Sequence, residues 1–269
     1  MAGRPGAPGR LSRDPRGSPR ARRPVAPPCV PIPRPPGVPV LRNETLRNIA
    51  LTPELHDYLL VQGRMLPDPL LAELAERTRE AIPDQAHMVV APEEAALLTF
   101  LVRLLGARTI VEVGTFTGSS SLCLARGLAP GGSLITCDVS AEWTALAREF
   151  WTRAGVADRI ELRLGPAVST LRALPAEPHV DLAFIDADKP GYIDYWEELV
   201  PRMRPGGLIL VDNTLFSGQV IDEFPGVKAA AVHAFNEHAR KDERVELVLL
   251  PVADGLTLAR RLPAEATSF

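Results

Sequence analysis

Between residues 109 and 212, short runs of aliphatic and β-branched residues alternate with stretches whose apolar residues recur at helical spacing. The runs predicted as strands are 109–113, 133–138, 159–164, 180–185 and 208–212. The helical stretches between them are 119–129, 140–154, 166–173 and 191–204. Strands that alternate with helices are typical of βαβ units, so the sequence predicts an α/β fold with a Rossmann-like, doubly wound and mostly parallel sheet.

The segments on either side of this region are predicted to complete the fold. Three N-terminal helices are predicted at 53–62, 68–82 and 92–105, each with a proline near its first turn, and Gly106 marks the end of the third. After a predicted helix at 227–240, two β-type runs at 245–250 and 256–259 are joined by a short Asp-Gly turn. Such a hairpin adds an antiparallel C-terminal strand near the edge of the sheet.

Residues 1–42 differ from the rest of the chain in composition. They contain nine arginines and one acidic residue, Asp14, and the first forty residues hold twelve of the 27 prolines. A segment with so few large apolar residues cannot bury enough surface to offset the entropy of ordering, so we expect a disordered tail. Residues 43–269 are then one domain that begins with a helical segment, about residues 44–106.

The net charge and the short length of the apolar runs argue against nucleic-acid and membrane partners. The whole chain carries a net charge of −3, and because the tail is basic the remaining residues are clearly acidic, which argues against nucleic-acid binding. Membrane association is not predicted, because no run of about 18 apolar residues exists. The cysteines, Cys29, Cys123 and Cys137, lack metal-ligand spacing and are expected to be free thiols. We therefore expect a cytoplasmic protein.

The first predicted strand ends in a glycine-containing loop, VEVGTFTGSSS, from Val111 to Ser121. Gly114 and Gly118 allow a tight turn and close approach of a ligand to the backbone. Asp138 ends the second strand, where a carboxylate can accept hydrogen bonds from ribose hydroxyls. The glycine spacing is not the G-x-G-x-x-G of dinucleotide folds, and Glu112 would repel a pyrophosphate, so a cationic nucleoside cofactor is favoured over a nicotinamide cofactor.

Polar residues lie at the ends of two later predicted strands. Asp186 follows the run at 180–185, and Asp212 and Asn213 follow the next strand along the chain. Carboxylate and amide oxygens without histidine or cysteine select Mg²⁺ or another hard divalent cation, such as Mn²⁺ or Ca²⁺, over Zn²⁺. Three protein ligands leave positions for two adjacent substrate oxygens, as in a catechol. Taken singly, Asp186 and Asp212 could instead be turn residues or helix caps.

These motifs in combination resemble the class I S-adenosylmethionine-dependent O-methyltransferases, and among them the cation-dependent catechol and caffeoyl-CoA O-methyltransferase family. The resemblance spans about residues 45–262. The segments that carry it are VEVGTFTG, TCDVS, RLGPA, FIDADK, RPGGLILVDNTLFSG and LPVADGLTLARR.

The resemblance implies roles for individual residues. The cofactor-binding set would be Val90, Glu112, Gly114, Thr115, Ser120, Asp138, Ala167, Asp186 and Asp188, although Val90 replaces a threonine or serine of the family. The metal ligands would be Asp186, Asp212 and Asn213. Lys189 would be the general base, with Asp186 beside it. Since an ordinary lysine has a pKa of about 10.4, a nearby cation would have to depress it. Family members also suggest a homodimer.

The sequence leaves the acceptor open. The expected reaction is methyl transfer from S-adenosylmethionine to a hydroxyl of a phenolic, catechol-like small molecule. One alternative is a metal-independent O-methyltransferase that acts on an isolated hydroxyl. Another is a binding protein that keeps the fold but has lost catalysis, which the intact set of candidate site residues argues against.

Deletion of residues 1–40 tests the predicted tail. We expect the melting temperature and the rate of methyl transfer to stay near those of the full chain, because the deletion removes no predicted core residue. Thermal unfolding and a turnover assay of both proteins measure this. A large fall in melting temperature would show that the segment packs against the domain.

Overall fold

The computed structural model describes residues 49–263, and the predicted tail and Cys29 lie outside this range. The helices are α1 (Pro53–Gln62), α2 (Pro69–Ala81), α3 (Pro92–Leu105), α4 (Ser119–Gly127), α5 (Ala141–Arg153), α6 (Ala167–Arg172), α7 (Tyr192–Leu199) and α8 (Val227–Arg240). The strands are β1 (Thr109–Val113), β2 (Ser133–Asp138), β3 (Ile160–Leu164), β4 (Val180–Ile185), β5 (Met203–Val211), β6 (Val245–Leu250) and β7 (Leu256–Arg261).

The strands form one seven-stranded sheet in the order β3-β2-β1-β4-β5-β7-β6. The first five are parallel to one another, whereas β7 pairs antiparallel with both β5 and β6. The predicted fold is therefore confirmed, including the reversed C-terminal strand near one edge. Strand order reverses between β1 and β4, which is the place where sheets of this kind bind ligands.

Helices cover both faces of the sheet, and alternate residues of each central strand point to opposite faces. On one face, Val111, Ala183 and Ile209 pack in a core cluster that also contains Trp196 and Phe235. On the other face, the second cluster brings Ile110, Leu182 and Leu210 together with Leu98 and Trp151. Cys123 and Cys137 are buried free thiols, as predicted.

The predicted starts of the first three helices are confirmed. Thr52 caps α1 by accepting a hydrogen bond from the Leu55 amide, and Asp68 caps α2 by accepting from two amides. Ala91 precedes α3 without a side-chain cap, and Gly106 ends that helix in the left-handed conformation, with φ 58°. No helix within residues 49–263 has the length and apolar character needed to cross a membrane.

The predicted boundary between α7 and β5 was wrong. The sequence predicted one helix from 191 to 204 and a strand from 208, but α7 ends at Leu199 and β5 begins at Met203. Pro201 lacks the amide hydrogen that would continue the helix, and a short 3₁₀ turn, Val200–Arg202, follows α7 instead. The strand then runs through Pro205 and Gly206, where its pairing with β4 is irregular.

Gly118 lies where α4 begins, and α5 packs closely against it. Its φ is 84°, and a Cβ at this position would lie 2.5 Å from the Ala147 Cβ and 2.8 Å from the Trp151 Nε1. Gly155 has a similar φ of 67° but nothing within 4 Å of its Cβ position. Substitution of each glycine in turn therefore separates the free-energy cost of a left-handed backbone conformation from the cost of steric crowding.

We expect Gly118→Ala to lower the free energy of unfolding by clearly more than Gly155→Ala. The Gly155 change costs only the left-handed conformation, about 1–2 kcal/mol, whereas the Gly118 change also forces α5 away. Urea denaturation of both variants measures the difference. Equal losses would mean that α5 moves freely to make room.

Candidate active site

A row of backbone hydrogen bonds continues the parallel sheet one residue beyond its strands. The amide of Gly114 donates to Cys137 O at 3.0 Å, the amide of Asp186 to Val113 O at 2.8 Å, and the amide of Asp212 to Ile185 O at 3.0 Å. Because adjacent strands lie about 4.8 Å apart, this row places the first residues after β1, β4 and β5 side by side. The structure therefore brings Gly114, Asp186 and Asp212 together at the carboxyl ends of the strands.

Gly114 has to be a glycine in this arrangement. Its φ is 101°, and a Cβ would collide with the carbonyl oxygen of Asp186. The cleft that opens here includes five of the predicted cofactor residues. Its lining is formed by Met88, Val89, Val90, Gly114, Thr115, Phe116, Ser119, Ser120 and Asp186.

Glu112 lies in β1, two residues before Gly114, and is fully buried. Its Oε2 accepts hydrogen bonds from the hydroxyls of Ser121 and Thr136, whereas its Oε1 has no hydrogen-bond partner. Burial raises the pKa of Glu112 to about 7, although the hydroxyl donors favour its charged form. A buried carboxylate oxygen without a donor is costly, and a cationic group of a ligand would satisfy it.

Asp138 shapes the glycine loop directly. Its Oδ2 accepts from the amides of Thr115 and Phe116 at 3.1 and 2.7 Å, and its Oδ1 accepts from the Ser140 amide at 2.8 Å. Phe116 adopts φ 50° and packs edge-on against Trp143, with ring centroids 5.2 Å apart. The sequence predicted Asp138 only as a ribose ligand, and the structure gives it this second role.

The N-terminal helices also support the loop. Thr78 of α2 is fully buried, and its hydroxyl is hydrogen-bonded to the Thr117 hydroxyl at 2.9 Å and donates to Leu74 O at 2.8 Å. Thr117 lies between the two loop glycines, so the bond between the two hydroxyls joins α2 to the glycine loop. The sequence analysis missed both threonines because the pairing spans 39 residues and no local pattern indicates it.

Lys189 joins two of the three predicted metal ligands. Its Nζ lies 3.0 Å from Asp186 Oδ1 and 2.5 Å from Asn213 Oδ1, and it also donates to Tyr192 Oη at 2.5 Å. The Tyr192 hydroxyl in turn donates to the backbone oxygen of Asp212 at 3.0 Å. These contacts use all three hydrogens of an ammonium group, and they place one positive charge between the two predicted ligands.

Asp212 is 5% exposed, and its Oδ1 accepts from the amide of Asn213 at 2.5 Å. Burial, together with the charge of Asp186, raises the pKa of Asp212 above its usual range. Asn213 has φ 57°, a left-handed conformation that asparagine adopts more readily than most residues. Backbone outliers of this kind often occur at functional sites.

Glu94, in the first turn of α3, belongs to the same cluster and was missed by the sequence analysis. It is 1% exposed, and the pKa of its carboxyl group is raised by burial and by the charges of Asp212 and Asp186. Acidic residues are common in the first turn of a helix, so nothing in the local sequence distinguishes Glu94 from an ordinary solvated glutamate.

Four of the nine predicted cofactor residues are not in the cleft lining, namely Glu112 and Asp138, described above, and Ala167 and Asp188. Ala167 begins α6 and packs against a core cluster, and the Asp188 carboxylate accepts a hydrogen bond from Tyr195 at 2.5 Å. In the part of the chain that the structure describes, no three histidine, cysteine, aspartate or glutamate side chains are arranged to hold a metal ion. The predicted ligand set contains two carboxylates and one amide, so it does not require such a triplet.

Comparison with known proteins shows the family to which the chain belongs. Residues 65–262 match the family model described as O-methyltransferase. The chain belongs to the O-methyltransferase family. This confirms the family resemblance, and with it the prediction that the protein is an enzyme that methylates oxygen.

Individual relatives support the assignment. The chain is 39% identical to catechol O-methyltransferase domain-containing protein 1 of Mus musculus over 212 residues, which cover 77% of this chain and 80% of the relative. It is also 39% identical to caffeoyl-CoA O-methyltransferase 2 of Zea mays, over 65% of this chain and 70% of the relative. The solved O-methyltransferase of Bacillus cereus in complex with SAH aligns with a TM-score of 0.70 at 32% identity, covering 77% and 96% of the two chains.

Glu112→Gln should stabilise the ligand-free enzyme, and increasingly so as the pH rises. A carboxyl whose pKa is raised from 4.5 to about 7 on folding contributes fully to stability below pH 4.5 and loses that contribution through pH 7. The variant removes this loss, so its advantage should grow by up to about 3 kcal/mol between pH 5 and pH 8. Urea denaturation at both pH values measures it.

Glu161→Gln is the matched control, because Glu161 is an exposed carboxylate on β3 paired with Arg163. Its stability relative to wild type should not rise with pH. If the stability of Glu112→Gln changed with pH in the same way as that of this control, folding would not raise the pKa of the Glu112 carboxyl.

Proposed function

We propose that the enzyme transfers a methyl group from S-adenosylmethionine to a hydroxyl of a catechol-like small molecule, and that a divalent cation assists the reaction. The observation that carries the proposal is the shared sheet edge. There, Asp186, Asp212 and Asn213 follow strands next to the cleft at Gly114, and the buried carboxylate of Glu112, two residues before Gly114, has an oxygen without a hydrogen-bond partner. The part of this edge at Gly114 and Glu112 suits a cationic cofactor. The part formed by Asp186, Asp212 and Asn213 suits a hard cation.

The cofactor half of the proposal rests on hydrogen-bonding capacity. Glu112 Oε1 is free to accept from the ammonium group of S-adenosylmethionine, and Gly114 lets the ligand approach the backbone. Asp138 already accepts three amide hydrogens, and a carboxylate has about four acceptor sites, so one remains for a ribose hydroxyl. The bound SAH in the Bacillus cereus relative, the demethylated product of this cofactor, supports the same assignment.

The cation half rests on donor chemistry. Asp186, Asp212 and Asn213 offer hard oxygen atoms, and the Lys189 ammonium already lies against two of these side chains. A divalent cation bound there would lower the pKa of the phenol hydroxyls that it coordinates. Names among the relatives include catechol and caffeoyl-CoA O-methyltransferases, which supports a phenolic acceptor.

Lys189 is proposed to take the proton of the attacking hydroxyl at its Nζ. In the ligand-free arrangement its ammonium group donates all three hydrogens, so it must first lose one proton to solvent and release the oxygen that accepted it before the neutral amine can act as a base. The phenol oxygen then attacks the methyl carbon in line with the carbon–sulfur bond, which breaks. Because charge is neutralised along this path, positioning and exclusion of water should supply most of the rate enhancement.

A second candidate is cation-independent methylation of an isolated hydroxyl. The observation that favours it is the Lys189 ammonium, which already supplies a positive charge between Asp186 and Asn213. An assay of catechols and simple phenols, with and without EDTA, separates the two candidates by the mass gain of one methyl transfer. Loss of catechol methylation in EDTA, restored by Mg²⁺, supports the first candidate, and unchanged turnover in EDTA supports the second. The predicted homodimer and cytoplasmic location stay predictions.

Lys189→Ala tests the base. We expect kcat to fall by roughly 10²–10⁴, with SAH affinity largely unchanged, and raising the pH should recover part of the loss because an ionised phenol needs no base. Lys228→Ala, which removes an exposed lysine on α8, should keep wild-type kcat. Wild-type kcat in Lys189→Ala would remove this lysine from the mechanism.

A further inference from the structure

Tyr192 contacts the proposed base, and the proposed reaction gives this side chain no role. It is the first residue of α7 and is fully buried. Its hydroxyl oxygen accepts from Lys189 Nζ at 2.5 Å, and its hydroxyl hydrogen is donated to the backbone oxygen of Asp212 at 3.0 Å. The hydroxyl therefore links the base to the peptide group between Asp212 and Asn213, two of the proposed metal ligands.

The ring of Tyr192 is held by packing, so its hydroxyl has a fixed position. The ring packs edge-on against Phe235 of α8, with ring centroids 5.5 Å apart, and Phe235 packs in the same way against Trp196 at 5.6 Å. All three side chains are fully buried in one core cluster. The lysine ammonium, in contrast, lies at the end of a flexible stem, so a fixed acceptor beside it limits the positions that Nζ can occupy.

The direction of the two hydrogen bonds suits a base. A backbone carbonyl can only accept, so the single hydroxyl hydrogen of Tyr192 is used by Asp212 O, and the hydroxyl oxygen can only accept from Lys189. This contact holds an N–H of the lysine and does not occupy the lone pair with which a neutral amine takes a proton.

The contact with Tyr192 also differs in kind from the other two contacts of Nζ. Of the three acceptors that Lys189 has among the described residues, only Tyr192 is not a proposed metal ligand; the others are Asp186 and Asn213. The tyrosine hydroxyl can therefore keep its hold on Nζ when the oxygens of those two side chains are needed elsewhere.

We propose that Tyr192 is a positioning residue for methyl transfer, whose hydroxyl holds Lys189 Nζ at the place from which it takes the proton of the acceptor hydroxyl. The inference rests on the proposed function, because it requires Lys189 to be the base. It predicts that loss of the Tyr192 hydroxyl acts on the rate through Lys189 and not through the stability of the core.

Tyr192→Phe removes the hydroxyl and keeps the ring. Tyr195→Phe is the matched control, because it removes a largely buried hydroxyl from the same helix that donates to Asp188 at 2.5 Å. Both changes are made in the full chain, and Tyr192→Phe is also combined with Lys189→Ala. The kcat and the KM for catechol are measured at saturating S-adenosylmethionine, SAH affinity by calorimetry, and the melting temperature by thermal unfolding.

We expect Tyr192→Phe to lower kcat by roughly 10–100-fold, because a displaced base loses most of its effect, and to leave KM and SAH affinity nearly unchanged. In the Lys189→Ala background the same change should lower kcat by less than about twofold, since no base remains to be positioned. Tyr195→Phe should keep wild-type kcat, although both tyrosine variants should melt at a lower temperature than wild type because each loses a buried hydrogen bond.

The other outcomes overturn the inference in distinguishable ways. If Lys189→Ala loses kcat while Tyr192→Phe keeps it and only melts earlier, or does not fold, the hydroxyl is structural and the inference alone fails. Equal losses of kcat from Tyr192→Phe with and without Lys189 would show that the tyrosine does not act through the base. If Lys189→Ala keeps wild-type kcat, the base assignment in the proposed function fails, and the inference fails with it.

Discussion

The arrangement of the site depends on the hydrogen bonds that extend the parallel sheet past the ends of its strands. Gly114, Asp186 and Asp212 each donate an amide hydrogen to the neighbouring strand, so their positions follow from strand register rather than from loop packing. Regular backbone pairing is rigid, and side chains that start from it are held more closely than side chains on free loops. This is why residues from three separate strands can form one site.

The same edge concentrates features that oppose folding. Glu112, Glu94 and Asp212 are buried carboxyl groups, and the backbone of Phe116 and Asn213 adopts left-handed φ values. Each of these features costs free energy in the absence of a ligand. They persist because the two core clusters on either side of the sheet supply the stability that the edge lacks. Such a distribution of strain is expected of a binding site and not of a structural core.

The sequence predicted the parts of this arrangement that depend on local pattern. Strand periodicity placed β1 and β4 at their observed bounds, and the glycine spacing predicted the loop at Gly114. The burial of Glu94 and Thr78 could not be predicted from local sequence, because it arises where helices pack against distant parts of the chain. The predicted start of β5 was also wrong. Pro205 and Gly206 are typical of a turn, and only pairing with β4 makes them part of a strand.

Asp186 connects the two halves of the proposed reaction. Its backbone carbonyl packs against Gly114 so closely that no side chain fits between them, and its carboxylate reaches Lys189. In the proposed reaction the cofactor loop follows β1 and Asp186 follows β4, and these two strands are neighbours, which lie about 4.8 Å apart. A methyl group and an attacking oxygen must approach within about 3–3.5 Å, so a shift in either strand would move donor and acceptor apart. In the proposed reaction, the register of β1 with β4 would therefore help to fix the distance between methyl donor and acceptor.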